Sequence, residues 1–356
     1  MVSTWTLDRA RRGIEKLSHA RLDWPAFSGE VARQLQRSVG FDGWCFSQAD
    51  PATLLPARAM TSDSPATASQ QRFWQIEYQL PDVNKLASLA RTSQPVGALS
   101  AATSGDLARS RRWDEILRPA GIADELRAAL TIGRHCWGSL NLYRASATRT
   151  YTMDDVQHLR HVAGAVAAGA RGAWTAKTPP SDTGPAAGPG TIIVTAAGTP
   201  LTATPEATQW LAKLSPDPQG SHGTAIIYAI TALLTAPARD TNAAAAARVR
   251  TRTTDGYWLD IHASPLAAAL PGCDIAITVQ AAVPSRISPL LMQAHSLSAR
   301  ERQIARLILD GRTLTEIART LHISLYTAKD HLKAIFRKTG THSRPELTKC
   351  LTGHLC

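Results

Sequence analysis

The sequence predicts a multidomain α+β chain: two successive mixed α/β units joined by a linker, then an all-α unit of four short helices. Three observations predict it. Leu126 to Leu142 alternate as a long hairpin that closes on a helix starting near Thr152. The run KTPPSDTGPAAGPG, residues 177–190, is rich in Pro, Gly and Ser and separates that unit from a second stretch of alternation. From Ser298 onward, helix-start signals recur on a 3.6-residue apolar period.

In chain order, residues 6–20 read as a basic helix with Leu7, Ile14 and Leu17 as its apolar positions. It suits a dimer or interdomain contact, or a loosely attached surface. A second helix runs from Trp24 to Val39 and stops at Gly40. Phe41–Ser47 and Leu54–Met60 read as strands around an Asp50-Pro51 turn, and a mostly helical middle follows through Phe73–Leu80 and Asp82–Arg91. Leu126, Ala128, Leu130 and Ile132 then alternate, Gly133-Arg134 turns, and Leu140 and Leu142 return. Thr152 caps a helix carrying Val156, Leu159, Ala163, Val166 and Ala170. In order and shape, residues 1–174 resemble a GAF domain. The resemblance implies a small molecule held between sheet and insert, near Trp44, Phe46, Phe73, Trp74, Tyr78 and Trp137. Plain core is the competing role for each. His158 and His161, or His135 beside Cys136, do not complete a ligand set, so no metal or cofactor is expected.

Residues 175–190 are the linker. Beyond it, Thr191–Thr195 is a strand, Gly198-Thr199 a turn, and helices lie near Thr204–Trp210, Ala225–Leu234 and Asn242–Ala247. Val249, Thr251 and Thr253 pair across Asp255-Gly256 with Tyr257, Leu259 and Ile261, and Ile275, Ile277 and Val279 form a last strand. This order over 191–283 resembles a small PAS domain, with few aromatics to line a pocket. A dimerisation or relay role suits it better than a second ligand site. Residues 284–295 read as a connecting helix.

The four C-terminal helices span about 298–310, 313–321, 324–339 and 343–352. Ser298 with Glu301, Thr313 with Glu316 and Ser343 with Glu346 form capping boxes, Ser324 is a further N-cap, and Gly311 and Gly340 mark helix ends. Ile304, Leu307 and Ile308, then Leu314, Ile317, Ala318 and Leu321, then Leu325, Ala328, Leu332, Ile335 and Phe336 make the apolar stripes. Only His322 and Ile323 join helices two and three, so the pair reads as a helix-turn-helix. The opposite face of helix three bears Tyr326, Thr327, Asp330, Lys333, Arg337 and Lys338, with Lys329 at the margin of the buried stripe.

The run Leu297-Ser298-x-Arg300-Glu301-Arg302, Glu316-Ile317-Ala318, then Ser324-x-x-Thr327-x-Lys329-x-His331-Leu332 closely resembles the C-terminal DNA-binding domain of LuxR-family regulators. Ile335, Lys338, Gly340, Ser343, Arg344, Glu346 and Leu347 continue the match over 296–356. Ala328 departs from it, standing where the family more often has Val. The resemblance implies that Lys329, Asp330 and Lys333 meet base edges while Thr327, Lys338 and Arg344 hold phosphates. A carboxylate such as Asp330 accepts from cytosine N4, or else serves as a helical partner of Lys333 or Lys329. The resemblance also implies dimerisation through Leu347, Cys350 and Leu351, and RNA polymerase as a further partner.

Charge agrees with that reading. From Arg286 onward, 12 Lys and Arg stand against 5 Asp and Glu, so +7 of the chain's net +11 lies on its last fifth. The 5 cysteines lack metal spacing and suggest free thiols in a reducing cytoplasm. No apolar run reaches membrane length. There is no Gly-rich phosphate loop, no G-x-S-x-G elbow and no acidic phospho-acceptor cluster, which argues against an enzyme. The expected protein is a cytoplasmic bacterial transcription regulator, a homodimer on double-stranded DNA with upstream domains sensing an unknown small molecule. The alternative is a constitutive DNA-binding protein whose upstream domains only dimerise or bind a protein partner.

Overall fold

The structure, a computed structural model, describes residues 4–62, 69–145, 150–176, 188–214, 221–237, 247–266 and 274–353. Most of the linker expected at 175–190 and most of the helix expected at Asn242–Ala247 lie outside these residues.

The first unit comprises α1 (Thr4–His19), α2 (Trp24–Ser38), β1 (Gly43–Ala49), β2 (Pro56–Thr61), α3 (Gln70–Tyr78), α4 (Leu86–Leu89), β3 (Val96–Ala98), α5 (Leu99–Ala102), β4 (Asp124–Ile132), β5 (His135–Arg144) and α6 (Met153–Gly172). Its antiparallel sheet has the order β2-β1-β5-β4-β3. Thr152 and Asp155 form a complete capping box that starts α6. One sheet face, with Phe46, Leu126, Ala128, Leu140 and Leu142, packs on Trp24, Phe27, Val31, Leu159 and Val166 of the flanking helices.

Two readings of the middle segment are corrected. The helix expected over Asp82–Arg91 shrinks to α4, and an unexpected edge strand, β3, pairs Val96 with Ala128. A three-residue strand is too short to show alternation and exists only through its partner.

The second unit comprises β6 (Gly190–Val194), β7 (Pro200–Ala203), α7 (Pro205–Ala212), α8 (Ser221–Leu234), β8 (Arg248–Arg252), β9 (Trp258–Pro265) and β10 (Ile275–Ala281), in the sheet order β7-β6-β10-β9-β8. Its β8 edge meets β2 of the first sheet. There Arg250 grips Asp50 with Nε to Oδ2 at 2.8 Å and Nη2 to Oδ1 at 2.6 Å, while the Thr251 hydroxyl donates to Ala57 O at 2.5 Å. Asp50 is only 1% exposed, so its charge is supported by this fork rather than by water. Nearby, Trp174 and Trp258 stack with centroids 5.8 Å apart and planes 5° apart. Arg252 donates to Ala176 O at 2.8 Å.

The last unit is α9 (Pro284–Ala294), α10 (Ala299–Leu309), α11 (Leu314–Thr320), α12 (Leu325–Thr339) and α13 (Arg344–Leu351). Ser298 and Thr313 form complete capping boxes with Glu301 and Glu316. The third expected box is half-formed, because the Glu346 carboxylate accepts from His342 N instead of from Ser343 N. Gly340 takes φ 71° to end α12. At the far end Gly353 lies against Trp258; a Cβ there would stand 2.6 Å from the indole. The C-terminal helices are thus seated on the second unit as well as on α9.

Two further expectations change. Cys350 is disulfide-bonded, so the free-thiol reading holds for Cys45 and Cys136 and fails for Cys350. Leu347, Cys350 and Leu351, expected to meet a second copy, are all buried within the chain, where α13 packs on α9 and the other C-terminal helices. Their shared apolar face is consumed internally.

His295 sits in that seam, with Nδ1 3.3 Å from Lys338 O and Nε2 3.4 Å from Cys350 Sγ. Burial lowers its pKa from 6.5 to about 4, against the bond to Lys338 O and helped by Arg21. The folded state therefore prefers neutral His295. That contribution is present above pH 6.5 and is lost as pH falls towards about 4. The thermal midpoint of the full chain is expected to fall over this window, and to fall less in His295→Asn; equal slopes in both proteins would contradict the assignment.

Candidate nucleic-acid interface and sensor cleft

The helix-turn-helix is built by short-range signals. His322 takes φ 52° and Ile323 N bonds to Ala318 O at 3.0 Å, which turns the chain sharply between α11 and α12. Ser324 then caps α12 through Thr327 N at 3.0 Å, with the two hydroxyls 2.9 Å apart. Ala328 and Ile335 are fully buried, with Leu332 and Phe336 packed beside them. Arg300 pins the turn by donating to Leu321 O at 2.6 Å.

The outward face of α12 carries Tyr326, Lys329, Asp330, Lys333 and Arg337, all exposed, with Ser324 exposed at its start and Thr327 half-buried. At 1.5 Å per residue the helix runs about 22 Å, long enough to cross a major groove. Lys329 is on the open face rather than at the buried margin. Asp330 has no ion pair among the described residues, although Lys333 stands three residues on along the helix.

Two basic residues are engaged inside the domain. Lys338 Nζ lies 2.6 Å from Glu301 Oε2 and 3.2 Å from Ser296 O. Burial pushes the Glu301 carboxyl up, but Lys338 and Ser298 hold it below its ordinary value. Arg344 is half-buried and donates to Arg312 O. One residue departs from its expected place: Leu325, assigned to the apolar stripe, is 42% exposed beside Tyr326 at 74%. At the first turn of a helix the stripe has not yet met its neighbour, which period counting does not show.

A second feature lies on the other face of the first sheet. The polar alternates of β4 and β5 are buried beneath α3 instead of facing water. Arg127, 3% exposed, donates from Nη1 to Glu77 Oε2 at 3.0 Å and from Nε to Asn141 Oδ1 at 3.1 Å. Burial raises the Glu77 pKa, yet Arg127 and Arg112 hold it below the usual carboxylate range. A small cleft opens beside this pair. It is lined by Cys45, Leu54, Phe73, Trp74, Leu86 and, from α8, His222. Burial pushes the Cys45 thiol up to about 11, which leaves it a poor nucleophile.

Of the six aromatic candidates, Phe73 and Trp74 line this cleft, and Tyr78 stacks on Trp74 at 5.8 Å. The other three do not line it. Trp44 and Phe46 pair with Leu142 and Leu140 on the opposite sheet face, where Phe46 meets Trp24 edge-on, and Trp137 joins the same core. Sequence reasoning missed Glu77, Arg127, Asn141 and His222. Arg127 and Asn141 were legible only as a polar strand face and Glu77 only as a helix charge, and His222 arrives from 165 residues beyond Ala57, which it contacts.

Residues 295–351 match the family model described as bacterial regulatory proteins, luxR family. The C-terminal unit is a luxR-family domain. A search of curated proteins finds no match. Among solved structures, Escherichia coli SdiA is similar at 13% identity and TM-score 0.32, covering 96% of this chain and 95% of that one. The Vibrio cholera VqmA–ligand–DNA complex is similar at 15% identity and TM-score 0.21, covering 47% and 84%. At these scores neither bears on the architecture upstream of the luxR-family domain.

Within that domain, Lys333→Ala is expected to weaken specific binding by about 1–3 kcal/mol and to relax preference at one base position. Arg344→Ala should lower affinity almost evenly for all sequences and flatten the salt dependence. Competition binding at several salt concentrations checks both; an even loss for Lys333→Ala or a selective loss for Arg344→Ala would reverse the roles.

Proposed function

We propose that this chain is a transcription regulator that binds duplex DNA through α12 and whose upstream units respond to a small molecule. The observation that carries the first part is the open, unpaired face of α12 within a luxR-family domain. Lys329, Asp330 and Lys333 read base edges, Leu325 and Tyr326 pack on thymine methyl groups, and Ser324, Thr327, Arg337 and Arg344 steady the phosphates. Lys338 acts mainly by holding Glu301 at the α10 cap.

The sensing part is supported by the cleft under α3. We read residues 1–174 as GAF-like and 191–283 as PAS-like on their element order, with 284–295 as the connector. A homodimer on a two-fold-related site fits this reading, but it would pair through a surface other than the buried face of Leu347, Cys350 and Leu351. RNA polymerase is then the partner through which bound protein would act on transcription.

A second reading is favoured by one observation: the α12 face is exposed in this arrangement of the units, which also suits constitutive binding. Full-length protein mixed with sheared genomic DNA at moderate salt, followed by footprinting of retained fragments, is expected to give a discrete, two-fold-related site. Retention without sequence preference would contradict specific regulation.

A further inference from the structure

The cleft beside α3 is not the property of one unit. Its floor and one wall come from the first sheet and α3, but His222 and Ala225 reach it from α8 of the second unit. His222 is only 8% exposed, and its Nε2 lies 2.9 Å from Ala57 O. A carbonyl oxygen only accepts, so Nε2 carries the proton of the ring. Burial lowers the pKa of this histidine, with Arg58 adding to the effect, so the ring is neutral and Nδ1 is a bare acceptor. Nδ1 is buried and has no hydrogen-bond partner among the described residues.

The charged groups of the cleft are already matched. Arg127 serves Glu77 and Asn141, Glu77 also accepts from Leu86 N at 2.6 Å, and the Ser47 hydroxyl donates to Arg58 O at 3.4 Å. The Glu77–Arg127 pair cancels its own charge, so nothing here attracts a net anion or cation. The remaining walls are mainly aliphatic or aromatic, with Ser139 and Cys45 among them and Phe73 edge-on to Trp74 at 4.9 Å.

We propose that this cleft binds an uncharged, largely apolar aromatic molecule bearing one N–H or O–H donor, which His222 Nδ1 receives. Such a ligand touches both upstream units at once and reports its presence at their joint. The proposal rests on the sensing reading above, and its test separates the two.

The probes are indole against 1-methylindole and phenol against anisole, each titrated calorimetrically into the full-length chain. Indole and phenol are expected to bind at least ten-fold more tightly than their blocked counterparts, and His222→Leu to abolish that difference. Because His222→Leu also removes the bond to Ala57 O, the wild-type protein supplies a second readout: the His222 Nδ1 nitrogen resonance should shift with indole and stay with 1-methylindole. Equal affinity for blocked and unblocked probes, a preference that survives in folded His222→Leu, or no binding of any probe would overturn the site. DNA affinity measured with and without indole is independent of this. If His222-dependent binding leaves DNA affinity unchanged, the sensing role falls and the site stands.

Discussion

The fork of Arg250 on Asp50 is the contact on which the arrangement of the upstream units depends. A carboxylate 1% exposed at the end of β1 is stable only where a partner replaces its water, and a guanidinium fork does so through two parallel bonds. Because Arg250 lies on the edge strand β8, satisfying Asp50 brings the β8 edge of the second sheet against β2. Thr251, the stacked Trp174 and Trp258, and Arg252 then close around the same seam. Breaking the fork leaves a buried carboxylate held only by the backbone N–H groups of Ala52 and Arg250.

Two consequences follow from that seam. It lays α8 over the polar face of the first sheet, so the cleft beside α3 is completed by a helix from the other unit. It also fixes Trp258, against which Gly353 packs just past α13. With α9 and the His295 seam as the other attachments, α12 is left facing outward. A change at the cleft therefore has a continuous packed route towards α13 through α8, β9 and Trp258. Switching along it would require a ligand that prefers one arrangement of the units over another.

How legible this was depends on the range of each interaction. In the C-terminal helices nearly every signal is local: caps at three-residue spacing, Gly340 in the left-handed region, and an apolar stripe that holds Ala328, Ile335 and Leu347 inside. The helix boundaries and the outward face of α12 were readable for that reason. β3 was not, since its three residues are a strand only because β4 is beside them. Arg127 and Asn141 alternate as a solvent face would, and nothing local says that α3 covers them. Asp50 and Arg250 are separated by 200 residues, and a charge that will be buried looks in sequence like any surface charge. Tyr326 was placed on the open face by periodicity alone, whereas Leu325 was not, because the first turn of a helix can leave a stripe residue uncovered.

The clamp between the two sheets is the central claim, and hydrogen exchange followed by mass spectrometry across a urea series tests it most directly. Peptides spanning 43–61 and 248–265 should lose protection at one common urea concentration, and Arg250→Ala should separate them into two. Two distinct midpoints in the unaltered protein, or a common midpoint that Arg250→Ala does not divide, would contradict it.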